Sequence, residues 1–327
     1  MHKTTVKASP DIAFIKYWGK KNEILRLPEN GSISMVLAGL ETTTTVDFDS
    51  KLKADEIKIA GKKAEGREAA RVVKQLNRIR KLANKNIFAK VISENNFPRS
   101  TGLSSSGSGM AALTYAASKA LDLNLSEKEL SILGRQASGT ACRCACAGFV
   151  EWKDGNTSKT SFSETIFLAN HWDLRDMVAV VSTSRKEVSS TAGHKKAGTS
   201  LFYPARLQNI KKKIFQIKDA IKDRDFRKLG ELIEAEALEF HSILLTSQPP
   251  LIFWYPGTLQ VMHEVQKMRK EGIEAYFTIN TGFNVHVMTL PKFEAIVEKR
   301  LKNLDLVKKV ITAKVGEKPQ FIEEHLF

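Results

Sequence analysis

The chain has 327 residues, 42% hydrophobic and 27% charged, which suits one large or two moderate globular domains and excludes a disordered polymer. Its 51 Lys and Arg against 36 Asp and Glu leave a net charge of +15, a surplus that attracts nucleic acid, acidic membrane surfaces or phosphorylated metabolites. No apolar run approaches the roughly 20 residues of a spanning helix, the start MHKTTVKASPD lacks a secretory core, and no finger, aromatic RNA-binding or basic-zipper pattern accompanies the charge. A cytoplasmic protein without membrane or nucleic-acid partners is expected.

In chain order, β-branched density predicts strands at 6–15 and 42–48. Helical spacing follows over 67–83, and alternation predicts a strand at 88–93. An Ala-rich helix is expected at 110–121, and a capped one at 126–135, opened by Ser-Glu-Lys-Glu. Short strands at 149–152 and 177–182 complete the first half. Helices are expected at 207–222, 226–244 and 258–271, the last stopped by Gly272. Strand-like runs at 275–279 and 284–289 flank Asn280-Thr281-Gly282-Phe283, and a helix at 293–301 and a last strand at 307–312 finish the chain. This order, without regular βαβα alternation, implies an α+β fold in two lobes with a boundary near 180–205. The lysine-rich stretches 211–228 and 299–309 carry apolar residues at helical spacing and read as solvated helix faces.

Cys142, Cys144 and Cys146 lack C-x-x-C spacing and lie among small residues, so they read as buried hydrophobes and not as a zinc site. In an extended segment alternation would aim all three the same way, which leaves a redox or disulfide role open.

Residues 100–109, STGLSSSGSG, run directly into the helix-forming MAALTYAASKAL. Backbone N–H groups at a helix start, with little side-chain bulk, form an anion cradle, and the hydroxyls of Ser104, Ser105, Ser106 and Ser108 can add bonds to phosphate or Mg²⁺. The spacing from Gly102 to Gly107 begins like a Walker loop, but Ser108 stands where that loop needs Lys, and the Rossmann spacing is absent. A flexible linker is the bland alternative, disfavoured because linkers rarely run straight into a strong helix.

With these segments in view, the chain resembles the diphosphomevalonate decarboxylases of the GHMP kinase superfamily. Ser9-Pro-Asp-Ile-Ala-Phe-Ile-Lys-Tyr-Trp-Gly-Lys20 is similar to the family's N-terminal signature, continued by Leu27-Pro-Glu-Asn-Gly-Ser-Ile-Ser34. Residues 95–106 resemble its ATP-binding segment, and 135–143, 148–152, 188–191, 241–250 and 276–284 resemble further blocks in the expected order. The resemblance covers nearly the whole chain and implies a two-lobed GHMP-kinase-type α+β fold, with antiparallel and mixed sheets packed on helices. It implies an ATP-binding domain over 1–180, a substrate domain over 181–327, a homodimer, and ATP with Mg²⁺ as cofactors. The archaeal-type phosphomevalonate decarboxylases are a possible branch.

The reaction so implied begins with ATP phosphorylating the 3-hydroxyl of a 5-phosphorylated mevalonate; loss of that phosphate and CO₂ then leaves an isopentenyl product. Phosphoryl transfer needs positioning and charge neutralisation more than covalent help. By resemblance Gly102, Leu103, Ser104, Ser105, Ser106, Gly107, Ser108 and Gly109 hold the ATP phosphates, with Ser105 toward the metal. Arg143 takes the substrate carboxylate or phosphate with its planar fork. Ser138, Gly139 and Thr140 face the 5-phosphoryl end, joined by Tyr17, Lys20, Ser189 and Ser190, and Lys16 stabilises charge at the 3-hydroxyl. Taken singly, each has a bland reading as a surface ion pair, a strand end or a turn. His241 reads as packed or capping and His286 as a strand residue, neither catalytic.

Three places depart from the family pattern. Asp11 stands where Asn is usual, and Gly193-His194 where Gly-Met is commoner. In the last block the family's catalytic Asp is replaced by Asn280. A carboxylate can accept a proton at neutral pH, whereas an amide cannot. Position 280 therefore predicts weakened turnover, either from an introduced isosteric change that traps substrate, favoured by the intact remaining blocks, or in a natural relative that has lost the base. The rival readings are a kinase that phosphorylates mevalonate without decarboxylation and a basic nucleic-acid-binding module. The second lacks any base-reading motif.

Overall fold

The computed structural model describes residues 2–97, 102–184 and 188–327. The run expected as one strand over 6–15 is two: β1 (Thr4–Ala8) and β2 (Asp11–Ile15). Pro10 separates them, because it has no N–H for a ladder, and the two halves enter different sheets. A small hairpin of β3 (Lys20–Asn22) and β4 (Leu27–Pro28) leads to β5 (Ser32–Ala38) and β6 (Thr42–Asp49). Then come β7 (Glu56–Ile59), β8 (Lys62–Lys63), α1 (Gly66–Ala83) and β9 (Phe88–Asn95).

Helix α2 (Ser105–Ala120) starts five residues before the expected 110, so the second half of the Gly-Ser segment, from Ser105 to Gly109, is itself the first turns of the helix. Gly107 is required there: a Cβ would lie 2.7 Å from Thr140 Oγ1 and 2.9 Å from Cys144 Sγ. Helix α3 (Glu127–Ala137) opens on a capping box in which Ser126 and Glu129 satisfy each other's backbone N–H. The chain continues through β10 (Phe149–Trp152), β11 (Ser163–Phe167), β12 (Arg175–Val180) and the short α4 (Ser190–His194). Three long helices follow, α5 (Tyr203–Asp223), α6 (Phe226–Thr246) and α7 (Pro256–Lys270), and Gly272 adopts φ +83° after the last. Then β13 (Ala275–Thr278), β14 (Val285–Thr289), α8 (Glu294–Lys302) and β15 (Lys309–Val315) are laid down. The chain does not finish there: β16 (Gln320–Ile322) returns to pair with β1.

Two large sheets result. One has the order β16-β1-β6-β9-β7-β8, and α1 and α2 bury Leu76, Ile79, Leu113 and Ala116 against its Val6, Val46 and Val91. The other has the order β11-β10-β5-β15-β12-β14-β13, with β2 added on β5. Helices α5 and α6 cover it, placing Ile217, Ile221, Leu229 and Ile233 on Ile12, Phe14 and Met35. Strand β2 thus lies under α6, and its end carries Lys16 to the edge where β13 also ends. No helix among the described residues is long and apolar enough to cross a membrane.

The three cysteines lie in a 3-10 turn (Gly139–Cys142) and the turns after it, so strand alternation does not apply. All three are free and buried. Burial pushes Cys142 up to about 12, which keeps it a thiol. Among the described residues no cluster of His, Cys, Asp and Glu could hold a metal.

Candidate active site

Two loops meet at the mouth of the site. Gly102 adopts φ +98°, and a Cβ there would stand 3.2 Å from Gly282 Cα, so the segment before α2 lies directly on the 280–283 loop. Residues 98–101, which include Ser100 and Thr101 of the Gly-Ser segment, lie outside the described residues. Ser104 adopts a left-handed conformation (φ 52°) as α2 begins, and its carbonyl accepts the N–H groups of Gly107 and Ser108. The first N–H groups of a helix lie outside its internal ladder and point at whatever occupies its start, with the positive end of the helix dipole behind them. Ser105 and Ser106 stand there; the Ser106 hydroxyl lies 3.5 Å from that of Ser138. Ser108 differs from the expectation. Its hydroxyl is fully buried and bonds Thr42 Oγ1 at 2.6 Å, so it ties α2 to β6 and faces away from a phosphate. Leu103 is likewise a core residue, and Gly107 and Gly109 contribute space.

Behind the loops lies a buried charged cluster. Lys16 Nζ donates to Ala13 O (2.6 Å), Thr278 Oγ1 (2.7 Å) and Asn280 Oδ1 (3.2 Å). Arg143, the residue after the Gly139–Cys142 turn, donates from Nε to Asp11 Oδ2 (2.6 Å) and from Nη1 to Ser32 Oγ (2.7 Å). Asp11 opposes the burial of Arg143 and holds it charged. Nη2 makes no hydrogen bond among the described residues, so one edge of the guanidinium is available to a ligand. Glu236 of α6 accepts the Lys16 backbone N–H (3.0 Å), Arg206 Nη2 (2.6 Å) and Lys213 Nζ (3.0 Å). Burial alone would push Glu236 up; Arg206 and Lys213 win and hold it below the usual carboxylate range. Sequence reasoning missed Glu236, Arg206 and Thr278. An acid among Ile233, Ala237 and Phe240 on the buried face of α6 is the signal that could have found the first.

Tyr17 packs on the turn at Gly139, where a Cβ would stand 2.5 Å from its ring, and its hydroxyl is buried without a partner among the described residues. Ser138 stands at the N-terminal end of the turn without a side-chain capping bond, and Thr140 faces Gly107. Lys20 pairs with Glu23 at 2.8 Å. Ser189 caps α4 through Ala192 N–H, and Ser190 bonds Thr281 at 2.8 Å, linking α4 to the 280–283 loop. His194 lies against Tyr17 and Trp18, and its Nδ1 accepts the Gly19 N–H at 3.0 Å. His241 donates from Nε2 to Asn280 O (3.2 Å) and stacks on Trp254; burial, then Lys16, pushes it down to about 3, so it stays neutral. His286 pairs with Asp176 inside the sheet. His241 is packed, and His286 lies in a strand, as the sequence reads them.

Residues 8–163 match the diphosphomevalonate decarboxylase-like N-terminal domain, and residues 177–304 the mevalonate 5-diphosphate decarboxylase C-terminal domain. The chain belongs to the diphosphomevalonate decarboxylase family. It is similar to the diphosphomevalonate decarboxylase of Candida albicans, 33% identical over 302 residues (87% of this chain, 83% of that one). It is also similar to the phosphomevalonate decarboxylase of Haloferax volcanii, 32% identical over 298 residues and 91% of each chain. Its fold matches MDDEF in complex with MVAPP, AMPPCP and magnesium, with a TM-score of 0.92 and 39% identity over 98% of this chain and 99% of that one. The mevalonate diphosphate decarboxylase of Staphylococcus aureus gives a TM-score of 0.93 at 35% identity, over 98% of both chains. Family membership carries with it the GHMP-kinase-type fold and the ATP-dependent, carboxy-lyase chemistry of the mevalonate pathway.

Proposed function

We propose that this chain phosphorylates the 3-hydroxyl of a 5-phosphorylated mevalonate with ATP, after which phosphate and CO₂ leave to give an isopentenyl product. The observation that carries the proposal is the approach of Gly102 to Gly282, which sets the start of α2 against the loop that holds Asn280 beside Lys16. The nucleotide phosphates would lie on the first turn of α2, with Ser104, Ser105 and Ser106 as hydroxyl partners. The free edge of Arg143 would take the substrate carboxylate, a planar match that Lys cannot make. The Tyr17 hydroxyl, without a partner among the described residues, would face the 5-phosphoryl end together with Ser138, Thr140, Lys20 and Ser190.

The donors near α2 are hydroxyls and not a carboxylate cage, which fits Mg²⁺ carried in on nucleotide phosphates, with Ser105 as the protein's contribution. When bound, the ion supplies charge neutralisation at the phosphates. A cytoplasmic homodimer is part of the same proposal and rests on the family likeness; the mass in solution tests the dimer.

ADP, CO₂ and organic product should be measured with ATP, Mg²⁺ and either the 5-diphosphate or the 5-phosphate of mevalonate. ADP and CO₂ in equal amounts are expected. A stable 3-phosphate without CO₂ would make the chain a kinase, and turnover of neither compound would remove the proposal. The Haloferax volcanii relative is the reason to include the 5-phosphate.

A further inference from the structure

Three arginines stand without a carboxylate partner beside the turn that carries Ser138 and Gly139. Arg26 closes the turn between β3 and β4, and its Nε–H donates to Gln136 O (3.0 Å) near the C-terminal end of α3. Arg78 of α1 donates from Nη1 to Gln75 Oε1 (3.1 Å), and Gln75 Nε2 donates to Leu133 O (3.1 Å), one turn before Gln136 on α3. Arg71 lies one turn before Gln75 on the same face of α1, and its Nε is buried with no partner among the described residues. Both Nη groups of Arg26 are also without a hydrogen bond there, and none of the three arginines makes an ion pair among the described residues. The buried guanidiniums of Arg80, Arg143 and Arg206 differ: each meets a carboxylate, of Asp55, Asp11 and Glu236 respectively.

Gathering like charges at a half-buried place is unfavourable until an anion joins them. Burial first, and then the charge of Arg26, lowers the proton affinity of both Arg71 and Arg78; Glu68, one turn before Arg71, pulls that residue the other way without an ion pair. Arg26 also holds φ 52°, a conformation that glycine or asparagine would adopt with less strain, so a guanidinium stands at this turn in spite of its backbone. Its place says which anion it meets. Gln136, which holds Arg26, is two residues before Ser138 and three before Gly139, on which the Tyr17 ring packs. Burial pushes the Tyr17 hydroxyl up, and Arg26 is the strongest charge opposing that push. A single phosphate on Tyr17, Ser138 and Thr140 would leave Arg26 unmatched, whereas a second phosphate joined to the first would bring further anionic oxygens toward it.

We propose that Arg26, backed by Arg71 and Arg78, binds the outer phosphate of the substrate and so makes this chain select the 5-diphosphate of mevalonate over the 5-phosphate. The inference rests on the phosphoryl-transfer reading above. The Nη1 and Nη2 donors of Arg26 form a planar fork that matches two phosphate oxygens. Arg71 and Arg78 stand behind it and add positive potential. Lys20, the other cation at this end, is already paired with Glu23.

Calorimetric titration without ATP reads the affinity of each compound for the unaltered protein and for Arg26→Gln, Arg26→Lys and Arg71→Gln. The unaltered protein should bind mevalonate 5-diphosphate at least about tenfold more tightly than the 5-phosphate. Arg26→Gln should weaken the 5-diphosphate by about 10- to 100-fold and change the 5-phosphate by less than about threefold. Arg26→Lys, which keeps the charge and loses the fork, should fall between, and Arg71→Gln should move the ratio the same way by less. An affinity ratio that Arg26→Gln leaves unchanged overturns the proposal, and this includes both compounds weakening together, which is what a merely structural role would give. ATP-dependent CO₂ release by the unaltered protein together with that unchanged ratio overturns this proposal and leaves the reaction assignment standing. Binding of neither compound by the unaltered protein removes the reaction assignment and this proposal with it.

Discussion

Asp11 Oδ2 accepts the Arg143 Nε–H at 2.6 Å, and the two side chains are 0% and 3% exposed. Removing one partner of a buried ion pair strands the other charge, which typically costs about 3–5 kcal/mol. Asp11→Ala should therefore lower the unfolding free energy by about that amount, read from the urea midpoint at constant slope. Asp11→Asn keeps an acceptor on Arg143 and should lose less. An Asp11→Asn variant as stable as the unaltered protein would show that the charge at 11 does not stabilise the fold.

Glu236 ties three elements together: the end of β2 through the Lys16 N–H, α5 through Arg206, and α6 on which it sits. Its folded pKa lies below the unfolded value, so its contribution is present above about pH 4.3 and is lost as pH falls through the folded value. Thermal unfolding between pH 6 and pH 3 should show a steeper acid loss in the unaltered protein than in Glu236→Gln. Glu236→Ala, which leaves the fully buried Arg206 without this acceptor, should be the least stable at pH 7. Parallel acid limbs would count against the assignment.

Position 280 is singled out in the sequence by the resemblance of 276–284 to a family block, and the structure sets its Oδ1 3.2 Å from Lys16 Nζ. The helices were legible because their apolar spacing is set by local geometry, and α1 and α3 match within two residues at each end. Sheet membership was not. A proline between two β-branched runs does not say that the runs enter different sheets, and β16 reaches β1 across most of the chain. The buried network of Glu236, Arg206 and Lys213 escaped for the same reason. It unites residues from two helices whose pairing is tertiary, and a lysine in a basic helix looks the same whether its acid partner is solvent-exposed or buried. Ser108 had the composition of a phosphate ligand and the orientation of a core residue, and only the phase of α2 separates the two.

Gly102→Ala should impair turnover more than stability. The residue combines φ +98°, which an L side chain adopts only under strain, with a Cβ position 3.2 Å from Gly282 Cα. The methyl would press the start of α2 away from the 280–283 loop. A misplacement on the order of 1 Å near reacting groups can cost 100-fold, so kcat should fall by tenfold to about 100-fold while the melting temperature moves by only a few degrees. A kcat within twofold of the unaltered protein would mean that the close approach of the two loops does not matter to the reaction.

His241 sits beneath Asn280, donating to its carbonyl and stacking on Trp254, and it remains neutral down to about pH 3. An unfolded histidine titrates near 6.5. Between those values the unfolded chain binds a proton that the native chain refuses, so this residue makes folding less favourable as pH drops below about 6.5. At about 1.4 kcal/mol per pH unit, the loss by pH 5 is about 2 kcal/mol. His241→Phe keeps a flat ring against Trp254 but cannot titrate. It should be less stable than the unaltered protein at pH 7, because the Asn280 carbonyl loses its donor, yet its stability should change about 2 kcal/mol less between pH 7 and pH 5. Denaturant melts at the two pH values give both numbers. A variant whose stability falls in parallel with the unaltered protein would place the titrating group elsewhere and leave His241 as a packing residue with an ordinary imidazole.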